Sequence, residues 1–288
     1  MTTDADRLAV DVRGLRKQYG DVTAVDGIDL GIRRGEVFGL LGPNGAGKST
    51  TVEILQGNRR RDAGEVTVLG SDPATATRAW RSRVGIVWQD ESAPAELTVG
   101  ETVRHFSRYY PNPRDPEDVI GLVGLEEKAG SRIKSLSGGQ RRRLDVALGV
   151  IGGPELLLLD EPTTGFDPAA RRQFWDLIRK LADEGTTILL TTHYLEEAEA
   201  LADRLAVVAR GRVVAEGEPA ALRERFGTGA TVEWTEADGS PRSERTDTPT
   251  RTVATLTHRF DGEIPGLRVS RPTLEDVYLR LTGLEDAR

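Results

Sequence analysis

Residues 37–50 read VFGLLGPNGAGKST. The stretch 37–41 is apolar and bounded by glycine, which reads as a buried strand. The loop that follows, Gly42-Pro43-Asn44-Gly45-Ala46-Gly47-Lys48-Ser49, matches G-x-x-x-x-G-K-[ST]. Its glycines let backbone N–H groups turn inward around an anion. The start of the next helix adds a partial positive charge there. Lys48 supplies a point charge for terminal phosphates, and Ser49 a hydroxyl for Mg²⁺. A helix is predicted from Lys48 to about Gln56.

The rest of the chain fits that strand–loop–helix unit. Residues 156–161, LLLLDE, are a second buried strand that ends in two carboxylates. A parallel sheet places Asp160 at its carboxyl edge, beside the phosphate loop. Asp160 can hold Mg²⁺ through water. Glu161 can polarise an attacking water as general base, a role worth about 10²–10⁴-fold. Residues 186–191, TTILLT, read as a third strand. Strand and helix alternate through this part, which argues a parallel α/β sheet. Residues 7–40 read as short strands that form an N-terminal antiparallel β subdomain. Residues 90–150 have helical spacing and read as an insertion. Residues 204–217 read as a hairpin around Arg210-Gly211. After Phe226 the composition shifts to Thr, Gly, Ser, Pro and charge. We therefore expect a main domain over 7–225 and a small α+β extension over 226–288.

Composition sets bounds. The 288 residues carry a net charge of −7 and a pI near 5.3, so a basic nucleic-acid binder is disfavoured. There is no Cys, which excludes thiolate chemistry and disulfides. The first 18 residues lack a signal peptide's apolar run. No apolar stretch is long enough to span a bilayer.

A third segment narrows the class. In Ser135-Leu136-Ser137-Gly138-Gly139-Gln140, Ser137 and Gln140 form an S-x-x-Q capping box that opens a helix. Bare backbone N–H groups beside two glycines suit an anion. Arg141, Arg142 and Arg143 crowd the same helix start, where the dipole opposes cations. A nearby anion, or solvent, would relieve that conflict.

Taken together, GPNGAGKS, LSGGQ and LLLLDEP resemble the nucleotide-binding subunit of ABC transporters over about residues 7–225. The resemblance implies a P-loop NTPase (RecA-like) fold that binds ATP and Mg²⁺ through Gly42 to Thr50. It implies Lys48, Glu161 and His193 as catalytic residues, with His193 facing the γ-phosphate. Tyr19 would stack on adenine. Gln89 would contact Mg²⁺ beside Ser49 and Asp160. Asp167 would communicate across a dimer, although Asp167-Pro168 alone is an ordinary helix cap. His105 and His258 match no position of the family. Phe166 and Trp88 depart from its common Leu and Pro.

The implied assembly is a homodimer that clasps two ATP molecules. Each would lie between Lys48 of one subunit and Ser137–Gln140 of the other. A separate transmembrane permease would carry the pore, and this chain would sit peripherally on the cytoplasmic face of the membrane. The tail PTLEDVYLRLTG, at 272–283, resembles the daunorubicin/multidrug exporter group. That implies export of a drug, antibiotic or lipid-like molecule. An importer ATPase or a pore-less regulatory ABC ATPase stands as the alternative. A GTPase would need an Asn-Lys-x-Asp guanine reader, and no Asn here precedes Lys. A kinase would lack Ser137–Gln140. A chromosome ATPase would carry a long coiled coil between the phosphate loop and the Ser137 segment. A translation factor of the family would usually carry two cassettes.

Overall fold

A computed structural model describes residues 8–87, 96–227 and 229–283. These fall into two compact units that divide between Glu216 and Gly217.

In the larger unit, β1 (Leu8–Tyr19) pairs antiparallel with β2 (Val22–Arg33) on one side and β4 (Ala63–Val68) on the other. One face of this sheet is apolar. Val10, Val12 and Leu15 of β1 and Val25, Ile28 and Ile32 of β2 are fully buried. The N-terminal antiparallel subdomain is therefore present.

The second sheet has six strands. They are β3 (Val37–Leu41), β5 (Val84–Val87), β6 (Leu156–Asp160), β7 (Thr187–Thr192), β8 (Arg204–Ala209) and β9 (Arg212–Gly217). Their order is β5-β6-β7-β3-β8-β9, and every pair from β5 to β8 runs parallel. All residues of β3 and β7, and the first four of β6, are buried. Burial on both faces explains why these strands read as continuous apolar runs rather than as alternation. The β8–β9 turn has positive φ at Arg210 (50°) and Gly211 (76°), as a two-residue hairpin of right-handed twist requires.

Helix α1 (Lys48–Leu55) follows β3, and the short α2 (Arg78–Arg81) precedes β5. Between β5 and β6 lie α3 (Val99–Ser107), α4 (Pro116–Leu122) and α5 (Gly138–Val150), which make up the helical insertion. Helix α3 starts at a Thr98/Glu101 capping box. It ends at Ser107, four residues before Pro111, which disfavours helical geometry at Tyr110. Val103 of this helix is fully buried, and Phe106 and the following Tyr110 pack partly buried on the same core. Helices α6 (Pro168–Asp183) and α7 (Leu195–Leu201) complete this unit.

The smaller unit holds α8 (Pro219–Phe226), β10 (Ala230–Thr235), β11 (Pro241–Thr246), α9 (Pro249–Arg259), β12 (Arg268–Ser270) and α10 (Leu274–Thr282). Its antiparallel sheet has the order β11-β10-β12. Val232, Trp234, Leu256 and Ile264 form its core.

Candidate nucleotide site

Strand order builds the site. β6, β7 and β3 are adjacent and parallel, so their carboxyl ends lie side by side. From those ends emerge Asp160-Glu161, His193 and the loop from Gly42, as the switch from strand to loop in a parallel sheet demands.

The loop is set by backbone geometry. Gly47 has φ 103°, and a Cβ there would stand 2.3 Å from the Ala24 carbonyl oxygen of β2. A Cβ on Gly42 would stand equally close, 2.3 Å from the Val208 carbonyl oxygen of β8. Both positions exclude any side chain. Lys48 is only 6% exposed and donates to Gly42 O at 2.6 Å and Pro43 O at 3.2 Å. Burial pushes its ammonium down from the ordinary lysine range, while Glu161 and Asp160 pull it back up. Ser49 is exposed at the start of α1.

Asp160 accepts a hydrogen bond from Thr191 Oγ1, which fixes one carboxylate oxygen. Glu161 has φ 44°, outside the range comfortable for a residue with a Cβ. Its N–H donates to Thr191 O at 3.0 Å, so β7 holds the turn. Its Oε2 lies 3.3 Å from His193 Nδ1. The structure therefore gathers Lys48, Asp160, Glu161 and His193. The oxygen donors Ser49 and Asp160 are hard and few, a set that suits a Mg²⁺ retaining several waters. Among the described residues no cluster of three or more His, Asp and Glu forms a metal site.

The other expected residues sit elsewhere. Tyr19, 40% exposed at the end of β1, has Lys17 and Arg59 over its ring at 5.4 and 5.2 Å from the centroid. Gln89 and Trp88 lie outside the described residues. Ser137 and Gln140 form the expected capping box: Ser137 N–H donates to Gln140 Oε1 at 3.0 Å, and Gln140 N–H to Ser137 Oγ at 3.3 Å. Ser137 and Gly138 are exposed, with Gly139 and Gln140 partly so. Asp167 caps α6 by accepting from Ala170 N–H at 2.8 Å. Phe166 packs edge-on against Phe174, with ring centroids 5.7 Å apart.

The three arginines after Gln140 donate to protein oxygens: Arg141 to Ile133 O at 3.3 Å, Arg142 to two carbonyls beside Glu161, and Arg143 to Gln173 Oε1. These oxygens offset part of the conflict with the dipole. Sequence reading also missed Glu197. It is fully buried on α7, accepts from Trp175 Nε1 at 3.3 Å, and is held above the usual carboxylate range by burial. Nothing in its local pattern marks it.

The arrangement is that of an ATP-binding cassette, and comparison with known proteins agrees. Residues 25–164 match the ABC transporter family. The Nod factor export ATP-binding protein I of Ralstonia nicotianae (strain ATCC BAA-1114 / GMI1000) is 43% identical across 95% of this chain and 94% of its own length. The protein of the same name from Rhizobium sp. (strain N33) is 41% identical across 97% and 98%. Among solved structures, cbiO1 from Clostridium perfringens, part of the ABC transporter complex cbiONQ, superposes with a TM-score of 0.69. It is 28% identical, across 75% of this chain and 90% of its own. An ATP-binding subunit of another ABC transporter superposes with a TM-score of 0.68 at 26% identity, across 76% and 93%. The chain belongs to the ATP-binding subunits of ABC transporters. No helix among its described residues is long and apolar enough to cross a membrane.

Proposed function

We propose that the chain hydrolyses ATP to drive export of a small molecule (drug, antibiotic or lipid-like) through a separate transmembrane subunit. The supporting observation is the meeting of Lys48, Asp160, Glu161 and His193 at the carboxyl ends of three adjacent strands. The loop's N–H groups and Lys48 bind the phosphates. Ser49 and Asp160 would hold Mg²⁺, which would neutralise phosphate charge. Glu161 takes the proton of the attacking water, and His193, beside its carboxylate, stays within reach of the γ-phosphate. Tyr19 would stack on adenine, and Gln89 would join the Mg²⁺ set.

The exposed helix start at Ser137–Gln140 would complete the ATP site of a second copy, giving a homodimer with Asp167 at its seam. The relatives' printed name, Nod factor export, and the tail at 272–283 favour export over import. The permease would dock near an open cavity of about 540 Å³ lined by Arg78, Arg81, Arg108, Tyr109 and Tyr110. Tyr109 is 56% exposed there, beside the partly buried Tyr110. Docked to such a subunit, the chain would sit peripherally on the cytoplasmic face of the membrane.

The test is Glu161→Gln. It is expected to keep ATP binding and ATP-dependent dimerisation while turnover falls by about 10²-fold or more. Turnover near the parent rate rejects Glu161 as base.

A further inference from the structure

Arg142 belongs to none of the motifs described so far. It lies on the second turn of α5 and is only 8% exposed. Its guanidinium reaches across to the end of β6. Nε donates to Pro162 O at 3.0 Å and Nη2 to Asp160 O at 2.9 Å. Asp145 Oδ2, on the same helix, lies 4.0 Å from Nη1. The two carbonyls flank Glu161, the residue at φ 44°. From the opposite side, Thr191 O accepts the Glu161 N–H. The turn that carries Glu161 is therefore pinned by α5 and by β7 together. A non-glycine residue keeps a left-handed backbone only where its surroundings over-determine it. A planar fork that meets two carbonyls two residues apart does this. A lysine would present its donors from one nitrogen on a flexible stem, without the fixed planar fork that matches this pair.

We infer that Arg142 is the positioning residue for Glu161: it fixes the 160–162 turn so that the carboxylate stays beside His193. Because Arg142 rides on α5, it also ties the base to the helix whose first turn is Ser137–Gln140. A shift of that helix start, as a nucleotide seats on it, is passed to the subunit's own Glu161. The inference rests on the reading of Glu161 as general base.

A merely structural arginine would make a different prediction. Its loss would loosen α5 from β6 and lower stability, ATP affinity and turnover together. A positioning role confines the loss to kcat.

The experiment uses the full chain as parent, Arg142→Met, Arg142→Gln, Glu161→Gln and the Arg142→Met/Glu161→Gln double variant. ATPase kinetics, affinity for a fluorescent ATP analogue and melting temperature are measured on each. Turnover by the parent and its loss in Glu161→Gln establish the base reading without reference to Arg142. Arg142→Met is then expected to lower kcat about 10²-fold while KM stays within about twofold, since a misplacement near 1 Å costs about that much. Arg142→Gln, which keeps one donor, is expected to fall between. The double variant is expected to be no slower than Glu161→Gln alone, because residues that act as a unit are not additive. The inference is overturned if Arg142→Met turns over like the parent. It is also overturned if ATP affinity falls along with kcat, or if the double variant loses the full Arg142 factor again. Should Arg142→Met fail to fold, Arg142→Gln carries the same kcat-against-KM comparison.

Discussion

Lys48→Ala tests the phosphate loop in two directions at once. In the free protein the Lys48 ammonium already donates to Gly42 O and Pro43 O and is almost wholly buried. A charge-assisted bond from lysine to phosphate is worth about 1.5–3 kcal/mol. The upper figure applies to an ammonium that is free to redirect all its donors. Here it must share them with two loop carbonyls, so the lower figure governs. About 1.5 kcal/mol corresponds to roughly tenfold weaker ATP binding. The free protein responds otherwise. Substitution removes a desolvated charge and also removes the donor from two carbonyls, and these contributions oppose each other. The melting temperature without nucleotide should therefore move little, while the rise produced by a fixed ATP concentration shrinks. Titration with a fluorescent ATP analogue and melts with and without ATP measure both. Protonation adds a further signature. Burial depresses the ammonium below the ordinary lysine range. As pH rises through that depressed value the charge is lost, so the parent's ATP affinity declines at alkaline pH. The alanine variant lacks that decline. Unchanged affinity refutes the loop assignment. Affinity and free-state stability collapsing together refute the division of roles and leave Lys48 as loop scaffold.

Two more outcomes follow from charges and rings at the edges of the main unit. Glu155, bonded to Arg83 first and Arg34 second, is held down from 4.5 to about 2. A depressed carboxylate stabilises above its unfolded pKa, and that contribution drains away as pH falls from about 4.5 toward 2. The full shift would be worth about 3 kcal/mol, which exposure reduces to about 1 kcal/mol. Denaturant melts of Glu155→Gln against the parent should differ by that amount at pH 7 and converge at low pH; a constant difference contradicts the pairing. Tyr109→Asp, on the exposed ring of the open cavity, is expected to leave ATPase of the isolated subunit intact and abolish co-purification with the membrane chain from detergent. Normal association would place docking elsewhere.

The phosphate loop was legible because its geometry rests on glycine positions, and glycine spacing is written in the sequence. The buried strands were legible for a similar reason: five apolar residues between turn signals leave few other folds. The place of Asp160 at the carboxyl edge then followed from parallel topology, while His193 was implied only by the family resemblance. What stayed hidden depends on contacts with backbone carbonyls. Arg142 finds its partners at Asp160 O and Pro162 O, and a carbonyl has no residue-type signature. The run of three arginines therefore gave no sign of the protein oxygens that each of them meets. Glu197 was hidden for the same kind of reason, since its burial arises from α6 packing against α7.

The hidden contacts matter more than their number implies. The helix start at Ser137 and the base at Glu161 would serve different nucleotides in a pair of subunits, yet both belong to one chain. Within that chain, α5 meets the catalytic turn through the Arg142 fork, while β7 holds the turn's other side and leads directly into His193. On the inference above, a movement of α5 would reach the turn through the Arg142 fork, whose donors keep their geometry only while α5 stays in register with the end of β6. On the proposed reading, motif residues would serve binding and chemistry at one site, and the coupling of one site to the next would fall to an arginine outside them.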